Sequence, residues 1–105
     1  MLSSTGFVAQ SEVARRVSEI ERTFSGHVLR IRYSIGADWS NEPAIFFRII
    51  LSDEDSREEG LRAITSVISD RLADGVGDAE MGLRRYFNFR SESEQESLKD
   101  PAWAA

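Results

Sequence analysis

Residues 44–51 read Ala-Ile-Phe-Phe-Arg-Ile-Ile-Leu, a run too short for an independent helix and rich in β-branched and aromatic side chains. It predicts a strand buried on both faces. Alternation sends Ile45, Phe47, Ile49 and Leu51 to one face and Ala44, Phe46, Arg48 and Ile50 to the other. The first set is core. The second is nearly apolar but carries one guanidinium, which must reach water, an acid or a partner's phosphate.

The flanking segments supply what this strand packs against. Upstream, Val13, Val17, Ile20 and Phe24 recur at helical spacing, with Ser11 placed to cap the helix and Gly26 to end it. Residues 27–35 then alternate, sending Leu29, Ile31, Tyr33 and Ile35 inward and Val28, Arg30, Arg32 and Ser34 outward. Residues 36–43 hold the Gly, Asp, Ser, Asn and Pro of a hairpin loop. Trp39, inside that loop, is expected to plug the edge of the core; the competing reading is an exposed anchor for a partner.

Downstream, Ser56 and Glu59 have the spacing of a capping box, and Leu61, Ile64, Ile68 and Leu72 form an inward helical stripe flanked by Val67. Gly75 is the expected stop, followed by a glycine-containing connection over residues 75–82. Residues 83–90 return to strand alternation, with Leu83, Arg85, Phe87 and Phe89 opposed to Arg84, Tyr86, Asn88 and Arg90. Either Ser91 with Glu94 or Ser93 with Glu96 caps a short helix that must end near Pro101. Trp103 follows and is expected to be buried, at roughly 25 cal/mol per Å² of apolar surface.

Helix, strand, strand, helix, strand and short helix give a two-layer α+β sandwich, with both long helices on one face of a three-stranded, mainly antiparallel sheet. A chain of 105 residues supports one such core, so residues 1–105 are read as a single domain. The face away from the helices then gathers Arg30, Arg32, Phe46, Arg48, Arg84, Tyr86 and Arg90. Thirteen basic against eighteen acidic residues leave the chain at −5. Arginines interleaved with aromatics on one face of an acidic protein are its most informative pattern.

Three uses of that face compete. The C-terminal segment folds back on it, bringing Glu92, Glu94, Glu96 or Asp100 to the arginines and Trp103 to the aromatics. Alternatively the face, or a strand edge, docks another protein or a second copy, with arginine and aromatics as anchors. In the third, single-stranded nucleic acid stacks on Phe46 and Tyr86 while arginines hold phosphates. The acidic balance and the lack of a ribonucleoprotein motif rank this last.

Other chemistry is sparse. His27 is the sole histidine, set at a turn, with no nucleophile or acid tied to it by a motif. The acidic residues Asp53, Glu54, Asp55, Glu58 and Glu59 depart from the calcium-loop pattern, since Arg57 and Glu58 stand where a ligand and a glycine belong. Gly75, Gly77 and Gly82 lack the preceding strand and following Lys-Ser or Lys-Thr of a phosphate loop. No metal, cofactor or catalytic residue is therefore assigned, and a small enzyme of unknown reaction is the third-ranked function.

Lys99 is the only lysine; the arginine preference suits bidentate anion recognition, but a GC-rich codon bias is the favoured explanation. The absence of cysteine, of a signal-peptide pattern in residues 1–6 and of any stretch approaching ~20 apolar residues predicts a cytosolic protein without membrane insertion.

Residues 37–47 (Ala-Asp-Trp-Ser-Asn-Glu-Pro-Ala-Ile-Phe-Phe), 86–95 (Tyr-Phe-Asn-Phe-Arg-Ser-Glu-Ser-Glu-Gln) and 98–103 (Leu-Lys-Asp-Pro-Ala-Trp) resemble segments of small uncharacterised bacterial proteins. The resemblance covers part of the chain and carries over no catalytic residue. Some such proteins look like members of two-gene toxin and antitoxin systems, which implies a neutralising or accessory role. The sequence thus predicts a bacterial, non-catalytic protein-interaction module, with Arg30, Arg32, Trp39, Phe46, Arg48, Arg84, Tyr86, Arg90 and Trp103 as its partner-binding residues.

Overall fold

The computed structural model describes residues 2–75 and 83–104. Its elements run α1 (Leu2–Thr23), β1 (Val28–Ala37), β2 (Pro43–Leu51), α2 (Glu58–Gly75), β3 (Arg84–Ser91), α3 (Glu92–Leu98) and α4 (Pro101–Ala104). This is the expected α+β order, and β2 is the central strand of the sheet β1-β2-β3. The sheet is mixed rather than mainly antiparallel: β1 and β2 pair antiparallel, whereas β2 and β3 pair parallel. The reason is the connection, because a helical crossover returns the chain to the same end of the sheet and a hairpin reverses it.

Helix α1 starts earlier than its expected Ser11 cap, so Ser11 lies inside it. Its end is as expected: Gly26 takes φ +97, open to glycine at no steric cost, and the chain turns directly into β1. The Ser56–Glu59 capping box does not form as expected. The Ser56 hydroxyl instead donates to the Ser52 carbonyl at 3.0 Å, tying down the turn before α2. Gly77 and Gly82 lie outside the described residues.

The core consists of Val13, Val17 and Ile20 from α1, Ile68 and Leu72 from α2, Val28 and Ile31 from β1, and Ile45, Phe47, Ile49 and Leu51 from β2. Phe47 stacks on Phe87 of the neighbouring strand, with centroids 5.4 Å apart. Leu29 is not in this core. A bulge between Val28 and Arg30 puts Val28 opposite Leu51, leaving Val28 buried and Leu29 45 % exposed. One extra residue there reverses the alternation. Ile35 keeps the helix-side register opposite Ile45, but at the far end of an edge strand it stays exposed.

The free edge of β1 is blunted by α1: the Glu21 carboxylate accepts the outward Ile31 N–H at 2.7 Å. At the other end of the chain, Ser91 caps α3 in a complete capping box with Glu94, the first of the two expected alternatives. Ser93 donates to Asp53 from both its backbone and its hydroxyl, pinning α3 to the loop between β2 and α2. Asp53 is thereby held ionised below the usual carboxylate range, chiefly by the Ser93 hydroxyl.

Candidate functional site

The strand register lays the open face out in rows. Gly36, Ala44 and Arg84 form one row, followed by Ser34, Phe46 and Tyr86, then Arg32, Arg48 and Asn88, and last Arg30, Ile50 and Arg90. All seven expected face residues of the strands therefore share one surface.

The last row is covered by the chain itself. Trp103 is buried, with the Arg90 guanidinium carbon 4.2 Å from its ring centroid, a cation–π contact. Arg90 also donates to Gln95 Oε1 at 2.9 Å and lies 3.6 Å from Asp100 Oδ2. Gln95 in turn donates to the Asp100 carbonyl, closing a small network above Ile50, itself only 5 % exposed. Arg90 and Trp103 are thus engaged with each other, and the C-terminal segment covers one end of the face rather than all of it.

The opposite end is an aromatic cluster. Phe46 stacks on Tyr86 at 5.3 Å and 17°, and Trp39 leans on the other partner of the stack, Tyr86, at 5.1 Å and 57°. Trp39 remains 83 % exposed, so it does not plug the edge of the core as expected. It is held by Asp38, whose Oδ1 accepts the Ser40 N–H, the Ser40 hydroxyl and the Glu42 N–H, while Oδ2 accepts the Tyr86 hydroxyl at 2.7 Å. Asn41 completes the turn at φ 65, a left-handed conformation that asparagine tolerates.

The Ser40 hydroxyl is the main reason the Asp38 carboxyl sits well below its ordinary range. Burial opposes this, and the Tyr86 hydroxyl and the two amides reinforce it. The same bond raises Tyr86, with burial adding and the Arg84 guanidinium opposing, so the ring keeps its proton as donor. Sequence reasoning passed over Asp38 as one carboxylate among many. The available signal was Asp-Trp-Ser-Asn, the local side-chain-to-backbone pattern of an Asx turn.

Between the two ends lies Arg48. Its Nη1 donates to Ser34 Oγ at 3.0 Å, while its Nε is shielded from solvent without a hydrogen-bond partner. Arg32, directly opposite, reaches the β1 edge, where Nη1 lies 4.0 Å from Glu21 Oε2.

Away from this face, His27 Nδ1 lies 2.9 Å from Asp55 Oδ2, which also accepts the Ser52 hydroxyl at 2.6 Å. The carboxylate sits between serine and histidine, so the serine proton is directed to Asp55 and not to the imidazole, the reverse of a nucleophile–base order. Asp55 is lowered first by Ser52, against burial, with His27 adding. A groove of about 830 Å³ opens between α2 and β3 over Leu51, Leu61, Phe87 and Phe89, and among the described residues His27 is not part of its lining. Among the described residues, no three His, Asp or Glu side chains are grouped to hold a metal ion, and no helix is long and apolar enough to cross a membrane. No family model, curated protein or solved structure matches the chain.

Proposed function

We propose that this chain is a non-catalytic protein-interaction module that docks a partner protein on the aromatic end of its open sheet face. One observation carries the reading: Trp39 is 83 % exposed yet held in place by a four-bond carboxylate network and a neighbouring phenol ring. A large ring shown to solvent on a pre-ordered loop loses little conformational freedom when a partner covers it, which is the property of an interface anchor. Phe46 and Tyr86 form the floor beneath it, with Arg84 and Arg48 at the margin. In this reading the chain is cytosolic and bacterial, an antitoxin-like or accessory partner in a two-gene unit, in keeping with the resemblance of its loop and C-terminal segments.

The test is site-specific photocrosslinking. A benzophenone amino acid replaces Trp39, the protein is irradiated in its native cells, and the adducts are identified by mass spectrometry. One discrete protein adduct, reduced by Tyr86→Ala, is expected. Adducts only to other copies of the chain, or none at all, defeat a hetero-partner role.

Nucleic-acid binding is the second reading, favoured by the Phe46–Tyr86 stack beside arginines. It requires salt-sensitive binding of single strands that is lost on charge reversal at Arg48 and Arg32. The unmodified protein's failure to bind an oligo(dT) at low salt eliminates it.

A further inference from the structure

Arg48 occupies the centre of the central strand, and among the described residues it has no acidic partner. Among the described residues its only hydrogen bond is to the neutral Ser34 hydroxyl, and its shielded Nε has none. The other cations near it are compensated within the chain: Arg90 lies against Asp100, and Arg32 lies within 4.0 Å of Glu21. Arg48 also faces Arg32 directly across the β1–β2 pair, and the carboxylate of Glu21 lies on the Arg32 side of that pair. With Nε shielded and Nη1 engaged, the Nη2 group of this half-buried guanidinium is the one that can receive a carboxylate from a partner.

We infer that the partner docked on the aromatic end presents an acidic segment, placing a carboxylate on Arg48 and an apolar or aromatic side chain against Trp39 and Tyr86. This rests on the protein-docking reading and names the partner's chemistry. Phe46 and Arg48 lie two residues apart on one face of β2, so the two subsites are spaced about 7 Å apart along the strand. An extended peptide with an acidic and an aromatic side chain in alternate positions matches that spacing. A second copy meeting the same face about a two-fold axis brings one arginine-bearing strand surface to another, where an acidic segment brings a carboxylate. A nucleic-acid strand brings a charge at every phosphate to a chain of net charge −5, whereas a peptide needs a single carboxylate at Arg48.

The experiment titrates the full chain with a random glutamate–tyrosine copolymer, a lysine–tyrosine copolymer of equal tyrosine content, and an oligo(dT) of twenty nucleotides. Trp39 emission, excited to the red of tyrosine, is the readout, with Trp39→Phe giving the background from shielded Trp103. The glutamate copolymer is expected to bind at least tenfold more tightly than the lysine copolymer, and R48Q is expected to weaken it at least tenfold. Because R48Q alters a half-buried strand position, the Arg48 Nε–H resonance of the unmodified protein is followed in parallel and must move on adding the glutamate copolymer. An unmoved resonance, equal binding of the two copolymers, or tighter binding of oligo(dT) overturns the inference. Preference for the lysine copolymer through Trp39 also overturns it, yet leaves the docking reading intact, and the photocrosslink decides that reading by itself.

Discussion

At the scale of single residues, Asp38 shapes the candidate site more than any residue a partner would touch. It fixes the turn, orients the Trp39 loop and receives the Tyr86 phenol, so its removal should disorder the anchor while the core stands. Asp38→Ala is expected to shift Trp39 emission and abolish the Trp39 photocrosslink, with far-UV circular dichroism unchanged. The depressed carboxyl also fixes the sign of the pH response. The folded Asp38 ionises more readily than the unfolded one, so the unfolded chain binds the extra proton and stability rises with pH between the two values. The contribution is whole above the ordinary aspartate range, near 4, and fades only as pH falls toward the folded value. Trp39 emission should therefore stay flat on acidification through that range and change only well below it. A midpoint in the ordinary range means that the Asp38 network does not hold the loop. The Asx turn at Asp38 is legible from local spacing, but its bond to Tyr86 is not, because those two residues are 48 positions apart in sequence.

Among the elements, the parts legible in sequence were those set by local pattern. The apolar run of β2, the alternation of β3 and the stripe of α2 read directly from spacing, and Ser91–Glu94 was one of the two caps that spacing allowed. What failed depended on choices between equally good local options. Ser56 had the spacing of a cap but found the Ser52 carbonyl. The residues 28 and 29 offer two apolar side chains to one inward position, and the bulge selects Val28. That selection is testable: Val28→Asp buries a carboxylate and should cost more than about 3 kcal/mol in a denaturant melt, whereas Leu29→Asp should stay within about 1 kcal/mol. Equal losses contradict the bulge. Likewise Ser91→Ala should cost about 1 kcal/mol, the usual worth of an N-cap, and should loosen the segment that carries Trp103.

For the whole molecule, the open face is divided rather than uniform, and the division explains why both tryptophans of one sequence have opposite fates. At one end, Arg90, Gln95 and Asp100 bring Trp103 down over the Ile50 row, so that indole belongs to the fold. At the other, nothing in the described chain covers Trp39, so that indole stays 83 % exposed. Among the described residues the two ends share the β2 and β3 strands but no side-chain hydrogen bond or ion pair, and sites without shared partners behave additively. Trp103→Ala should therefore lower stability by about 3 kcal/mol, the loss typical of a buried large aromatic, while leaving the yield of the Trp39-position photocrosslink within twofold under conditions where the protein is folded. Tyr86→Ala should do the opposite, cutting the crosslink with a smaller loss of stability, since Tyr86 lies outside the helix-side core. If losing Trp103 also erased the crosslink, the two ends would form one cooperative surface, and the C-terminal segment would be a regulator of docking as well as a cover.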